Sequence, residues 1–459
     1  MLYRKKMQEL INWKSNENTA LLVDGARQVG KTSLIEEFIK SFNNYIEIDF
    51  TKDATALSLL LEVKNYDDFV NRLSIISPIK LNNKDDILFL DEIQYYYEIR
   101  EKRIQDNPLF KEKYIDIITL TKEIVNRGEF RIILSGSLLG VSILSINLNP
   151  TGYLRKTTMY PLDFEEFLLA NNISQGIINE VEQCFKTKTP VSDSLNELLI
   201  NKFREYVLVG GFPQAVQSYI NDKSLEQTTN SLETINNWYK ADIIKYADKK
   251  DRIVILEMYN LLPGEIMMKN RKFIKSHLTN IPNFRNLELK DRFLWLKNAG
   301  VAIPTYNVSN PIYPLTISID HKLVKLFMSD SGLLTHFIFD RDAKRKLLVD
   351  TSNVDLGAPY ENAVAQLLLA HGFEPRFHSR VKYGEVDFII ERNMKVIPIE
   401  IKAGKPDKKS GLYSHLALNN LLISHKDIND SWVFGLTNVK KENNNITMFP
   451  IYMIEFVRR

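Results

Sequence analysis

The sequence predicts an α/β fold whose N-terminal part is a parallel sheet covered by helices, on three observations. Short apolar runs alternate with helical patterns over the first 165 residues, a glycine-rich loop stands between one such run and a helix, and another run ends in two adjacent carboxylates. At 459 residues the chain is too long for one ordinary core, and 44% hydrophobic with 25% charged residues is a globular mixture. A formal net charge of +3 gives no global field that demands nucleic acid or a membrane, so any basic surface must be local. The single cysteine, Cys184, excludes an internal disulfide framework and a cysteine-based zinc site, and it fits a cytoplasmic protein.

The runs TALLVDG, YIEIDF, DILFLDE, RIILSGS and TTMYPLD are the expected strands, and residues 33–41, 54–76 and 115–127 carry apolar positions at helical spacing. Residues 95–113 read as a charged insertion. The N-terminal stretch MLYRKKMQELINWKS has no apolar run for a signal peptide. Leu138 to Leu148 is too short to cross a membrane and is interrupted by Gly140, Ser142, Ser145 and Asn147, so no membrane partner is expected. Helical signals dominate from 163 to 245, broken by the Gly-Gly-Phe-Pro turn at Gly210 to Pro213, which reads as a helical lid. RKFIKSHL, LKDRFLWLKNAG, VAIPTYNV and LTISID then read as helix, helix and hairpin, a winged-helix module. After Gly357 come a helix from about Tyr360 to His371 and the hairpin EVDFIIERNMKVIPIEIKA. The expected division is 1–162, 163–245, 246–335 and 336–459.

GARQVGKT, the residues Gly25, Ala26, Arg27, Gln28, Val29, Gly30, Lys31 and Thr32, matches G-x-x-x-x-G-K-[ST], follows a strand and opens a helix at Ser33. In that setting backbone N–H groups and the helix N-terminus face phosphates, Lys31 reaches the β- and γ-phosphates of ATP, and the Thr32 hydroxyl holds Mg²⁺. ILFLDE, Ile87 to Glu92, is four apolar residues running into two acids, as a buried central strand delivers them. Asp91 is then expected in the Mg²⁺ shell and Glu92 as the group that polarises the attacking water. At the end of the next strand, Ser135 and Ser137 are candidate sensors of the γ-phosphate, and Arg155, before the fifth strand, is a candidate for stabilising transition-state charge within the chain or across an oligomer interface.

With GARQVGKT, LDEIQ, SGS, PLDFEEF, GGFP, MSDSGLL and EVDFII…PIEIKAG in order, the chain resembles prokaryotic AAA-family ATP-binding proteins that carry a C-terminal domain of unknown function. The resemblance spans nearly the whole chain. It implies a P-loop NTPase core, a winged-helix segment and a C-terminal α/β domain of restriction-endonuclease-like fold. The charged segment after Gln94 and the long stretch from Leu138 to Tyr153 depart from that pattern.

In the C-terminal hairpin Glu400 and Lys402 stand two residues apart and share a face. A turn at Asn393 and Met394 puts Asp387 opposite Glu400. Two acids and a lysine then converge as in the PD-(D/E)XK nuclease pattern, where carboxylates hold Mg²⁺ and the lysine stabilises the attacking water or phosphate charge. Glu361 on the preceding helix is the candidate additional acid. The plainer alternative is a half-buried hairpin with a solvated charged face. Lys269, Arg271, Lys272, Lys275, Lys290, Arg292 and Lys297 are candidate DNA phosphate contacts or simply solvated helix faces. The seven histidines show no H-E-x-x-H or paired-ligand spacing, so no zinc site is expected. These readings lead to an ATPase whose nucleotide cycle reshapes the later domains. The alternatives are an ATP-gated DNA nuclease, or a non-hydrolytic switch that scaffolds a protein partner or a homo-oligomer.

Overall fold

Four of the five apolar runs become strands in a computed structural model that describes residues 2–137, 152–223, 225–268, 271–281, 288–349, 354–380, 384–404, 406–407, 413–442 and 445–459, whereas the fifth strand is Leu154–Thr158, earlier than the expected TTMYPLD, so that Arg155 lies inside it and not before it. Leu138 to Leu148 and Lys269 lie outside the described residues. Two compact units form, Tyr3–Tyr160 with Asn298–Gly300, and Pro161–Lys297 with Val301–Arg459.

In the first unit the strands are β1 (Ala20–Asp24), β2 (Asn44–Asp49), β3 (Asp86–Asp91), β4 (Arg131–Ser135) and β5 (Leu154–Thr158), in the order β2-β3-β4-β1-β5 and all parallel. β1 and β3 are buried at every position, because helices cover both faces and leave no solvent side for alternation to mark. β4 lies between β1 and β3, so its C-terminal end stands between the glycine-rich loop and the two acids.

The expected helix 33–41 is α2 (Lys31–Ile39), following α1 (Lys6–Asn16). The expected helix 54–76 is two, α3 (Ala54–Leu61) and α4 (Tyr66–Ile76), because Asn65 turns extended and its side chain accepts the Asp68 N–H as an N-cap, a feature worth about 1 kcal/mol. The segment read as a charged insertion forms α5 (Ile93–Asp106) and α6 (Leu109–Lys113). Its charges mislead because Tyr96, Tyr97 and Arg100 are buried while Lys102 is exposed. α7 (Ile117–Arg127) starts where Asp116 caps it and ends at Gly128, whose φ of 64° is the left-handed value a helix C-terminus favours in glycine.

The second unit begins with the helix-rich stretch expected from 163: Phe164–Ala170, Gln175–Thr187, Asp193–Val209, Pro213–Asp222 and Leu225–Tyr246. Its sheet has eight strands, β6 (Ala302–Val308), β7 (Ile319–Met328), β8 (Arg376–Arg380), β9 (Gly384–Arg392), β10 (Lys395–Ile401), β11 (Ser431–Gly435), β12 (Lys440–Lys441) and β13 (Ile446–Pro450), ordered β12-β13-β11-β10-β9-β8-β6-β7. The β6/β7 hairpin, expected as the wing of a separate module, belongs to this sheet, since Tyr306 and Asn307 pair in parallel with Arg376 and Phe377. RKFIKSHL, expected as a helix, contains only a 3-10 turn at Lys275–His277, whereas LKDRFLWLKNAG yields the helix Lys290–Asn298. The helical stretch and the sheet share one core: Phe185 meets Trp432 edge-on at 6.0 Å, and Phe203 meets Tyr360 at 5.8 Å. Shared burial of this kind is why the expected lid, winged-helix and C-terminal segments fold together as one unit.

Two short motifs meet in that core. Asp330 of MSDSGLL accepts the N–H of Gly211 of GGFP at 2.7 Å, and an added Cβ on Gly332 would lie 2.4 Å from the Val209 carbonyl oxygen. The β9/β10 turn is where the sequence placed it, with Asn393 and Met394 both left-handed at φ 51° and 59°. From the helix Gly357–Ala370 onward, the order is helix, three antiparallel neighbours β8, β9 and β10, the helix Leu416–Ser424, and β11 parallel to β10.

Candidate functional site

The loop after β1 wraps tightly for a steric reason. Gly25 has φ 146° and a Cβ there would lie 2.2 Å from the Met159 carbonyl oxygen; Gln28 and Gly30 are also left-handed at 67° and 91°. Gly30 is the N-cap position of α2, so the helix starts at Lys31 with its first N–H groups lacking intrahelical partners and Thr32 and Ser33 in its first turn. Arg4, which no motif flags, braces this loop: its guanidinium donates to the Val29 carbonyl at 2.7 Å and to the Tyr160 carbonyl at 2.6 Å.

Lys31 is buried and donates to the carbonyls of Gly25 at 3.0 Å and Ala26 at 2.8 Å. Burial lowers its pKa to about 8, and the charges of Glu92, Asp91 and Asp24 restore only part of the loss. The Thr32 hydroxyl donates to Asp91 Oδ2 at 2.6 Å, and Asp91 Oδ1 accepts the Glu92 N–H at 2.9 Å. Glu92 takes a left-handed φ of 52° where strand turns into helix, and its carboxylate is met by Gln94 Nε2 and by Ser137 Oγ at 3.4 Å. Gln94 also donates to Ser137 at 3.3 Å. Ser135 is fully buried and its Oγ has no hydrogen-bond partner.

So Lys31, Thr32, Asp91, Glu92 and Ser137 gather at the C-terminal edge of the sheet. Gln94 joins them; it stands in LDEIQ, where the sequence alone assigns it no role. Arg155 does not join them. It pairs in register with Leu21, three residues before the edge at Asp24 and thus about 10 Å short of it. Its guanidinium is held by Glu9 at 2.8 Å and by Glu17 of the N-terminal segment. The oxygens of Thr32 and Asp91 converge as hard donors that suit Mg²⁺, and the glycine-lined loop with an open helix N-terminus suits a triphosphate.

The C-terminal residues also converge in part. Asp387 Oδ2 accepts the Ile401 N–H at 2.8 Å, and Lys402 Nζ lies 2.7 Å from Glu400 Oε1. Burial first, then the Asp387 charge, pushes the Glu400 pKa up to about 8 against the opposing pull of Lys402 and Lys325. Glu400 Oε2 is buried without a hydrogen-bond partner, an oxygen that a cation would satisfy. Glu361 is engaged otherwise: Arg271 pairs with it, and Lys325 Nζ lies 3.7 Å away. Lys325, completely buried on β7, also pairs with Glu385 at 2.7 Å, and Lys272 meets Glu385 at 3.0 Å. Burial alone would raise the Glu385 pKa, but these two lysines hold it low. Lys325 was invisible to hairpin reasoning because it comes from the strand assigned to another module.

The basic residues considered for DNA phosphates are mostly spent on internal pairs. Arg271 and Lys272 are placed above, Arg292 pairs with Asp251 at 2.6 Å, and Lys297 pairs with Glu374 at 3.0 Å.

A strand, glycine-rich loop and helix, with an acid-tipped strand two places away across β4, define a P-loop nucleotide-binding domain. Residues 17–168 match a family model described as an AAA domain, in keeping with that P-loop architecture. Residues 200–344 and 356–454 match two models described as domains of unknown function, DUF8612 and DUF4143. No curated protein matches the sequence. Among solved structures, the chain is similar to a Walker-type ATPase of Pyrococcus abyssi, with 14% identity, 74% of this chain and 96% of that chain covered, and a TM-score of 0.40. It is also similar to the Aeropyrum pernix Orc1 protein in complex with DNA (12%, 76% and 92%, 0.26) and to Drosophila ORC bound to DNA (12%, 72% and 92%, 0.26). Among the described residues, no helix is long and apolar enough to cross a membrane.

Proposed function

We propose that this protein binds and hydrolyses ATP with Mg²⁺ and couples the cycle to rearrangement of its C-terminal half. The observation that carries the reading is the Thr32 to Asp91 contact beside Glu92, Gln94 and Ser137. In this reading Lys31 exchanges two backbone carbonyls for β- and γ-phosphate oxygens. That exchange sets anionic oxygens, which favour the ammonium form, against a lysine whose pKa burial has lowered. Glu92 accepts a hydrogen bond from the attacking water, and Gln94 and Ser137, which already hold its carboxylate, fix its direction and report on the γ-phosphate. Thr32 and Asp91 would hold Mg²⁺, which would supply neutralisation of phosphate charge. Purified Lys31→Ala should lose nucleotide binding and Glu92→Gln should retain ATP without turnover. Hydrolysis at the wild-type rate in both would end the proposal.

A second reading rests on the Glu400 oxygen buried without a partner beside Asp387 and Lys402: a C-terminal domain of restriction-endonuclease-like fold whose nuclease site the ATPase domain licenses. The order helix, three-strand meander, helix, strand supports that fold. A divalent ion held by Asp387 and Glu400 would supply charge neutralisation at a phosphodiester, and Lys402 would orient the water. DNA left intact with Mg²⁺ or Mn²⁺ and ATP, while ATPase activity persists, would remove the nuclease and leave the ATPase. The target then becomes a protein partner or a second copy of the chain, and we place the protein in the cytoplasm on its single cysteine.

A further inference from the structure

We propose that Arg271 and Lys272 form an autoinhibitory strap: they neutralise Glu361 and Glu385, and so withhold Glu361 from a divalent cation at Asp387 and Glu400. The strap rests on the second reading above, in which those two carboxylates hold such an ion.

The four acids make one row. Glu385 and Asp387 stand two residues apart on β9 and share a face, and Asp387 lies opposite Glu400, one step beyond the pairing of Phe388 with Ile399. Lys325 ties Glu361 into the row: it pairs with Glu385 at 2.7 Å, lies 3.7 Å from Glu361, and its charge acts on Glu400. Lys402, 2.7 Å from Glu400, is the second built-in cation. Two lysines leave two of the four acidic charges unbalanced, and Arg271 and Lys272 supply the balance.

The strap follows the helix Arg252–Met267 and runs along β7, where the Phe273 N–H donates to the Val324 carbonyl at 2.8 Å, one residue from Lys325. Arg271 reaches Glu361, and Lys272 reaches Glu385 at 3.0 Å and the Ser379 hydroxyl at 2.9 Å. The helix Gly357–Ala370 leaves room for the guanidinium, since a Cβ on Gly357 would lie 3.0 Å from Arg271 Nη2.

Two features make this grip displaceable. Arg271 has φ 45°, a left-handed value that strains a residue with a Cβ. Its Nε is buried without a hydrogen-bond partner, and so is Glu361 Oε2, so the ion pair leaves a polar atom unsatisfied on each side. A divalent ion drawing on both Glu361 and Glu400 would satisfy the two orphaned carboxylate oxygens, and hard oxygen donors suit it. The competing account is a permanent ion network that only stabilises the fold.

The test uses the full chain with Lys31→Ala, which disables the nucleotide site, and Mn²⁺ as the probe, read by calorimetry and electron paramagnetic resonance. Arg271→Gln with Lys272→Gln should tighten Mn²⁺ binding by about tenfold or more, because two opposing charges are gone. Adding Glu361→Gln to that variant should return it to the parental affinity. In the parent, saturating Mn²⁺ should speed hydrogen exchange at the Phe273 amide as the strap leaves β7, an effect that Asp387→Ala abolishes. Unchanged Mn²⁺ affinity in the folded strap variant, or a gain that survives Glu361→Gln, overturns the strap while Asp387-dependent binding stands. Should the strap variant fail to fold, exchange at Phe273 that ignores Mn²⁺ in the parent overturns it instead. Mn²⁺ binding that ignores Asp387→Ala in parent and strap variant alike removes the cation reading, and the strap with it.

Discussion

Lys31→Met separates the cost of a phosphate-binding lysine from its use. A neutral side chain of similar length removes a buried ammonium whose pKa falls from 10.5 to about 8 on folding. At 1.36 kcal/mol per pH unit that drop corresponds to about 3 kcal/mol against the folded state. The variant also loses two hydrogen bonds to the loop carbonyls, worth about 1–2 kcal/mol together, so the net gain is about 1–2 kcal/mol. For a unit of this size that is a rise in Tm of roughly 2–8 °C without nucleotide. The sign with pH is fixed. The folded pKa lies below the unfolded one, so the penalty is full below about pH 8, shrinks as pH rises, and vanishes above 10.5. The assay is thermal unfolding of both proteins from pH 7 to 10.5, with and without Mg-ATP. Wild type should approach the variant as pH rises, and only wild type should gain stability from ATP. A variant less stable than wild type at pH 7, or a gap that ignores pH, would refute the account of Lys31.

Glu92→Gln should lower ATP turnover by at least 100-fold with little change in ATP affinity, measured by single-turnover hydrolysis and nucleotide titration. Arg4→Ala should raise the Kd for ATP several-fold while leaving bound-state turnover near wild type, because it braces the loop through Val29 without reaching the phosphates. Arg155→Ala should leave kcat within about twofold and cost no more than about 1 kcal/mol in denaturant unfolding, since its partners Glu9 and Glu17 are a third exposed. Glu400 has a folded pKa above its unfolded value, so stability should fall as pH rises from about 4.5 to 8; Glu400→Gln should flatten that slope, and a slope unchanged in the variant would place the cause elsewhere.

The phosphate loop, the acid-tipped strand and the Asn393–Met394 hairpin are legible in the amino-acid order, because each is a contiguous stretch whose backbone and side chains carry their own geometric demands. Gly25 and Gly30 of GARQVGKT take φ values of 146° and 91° that favour glycine, and a hairpin register follows from a two-residue turn. Charge patterns do not reveal burial: the stretch after Gln94 is a helix with a buried tyrosine face, and Arg271 and Lys272 are ion-pair partners of Glu361 and Glu385. That Arg155 sits rows below the loop and that Lys325 from β7 enters the C-terminal carboxylate cluster follows from packing between distant segments. Packing likewise joins β6 and β7 to the C-terminal sheet. Those outcomes depend on strand order and on packing between segments hundreds of residues apart, and local periodicity encodes which face of an element is apolar but not which other face will cover it.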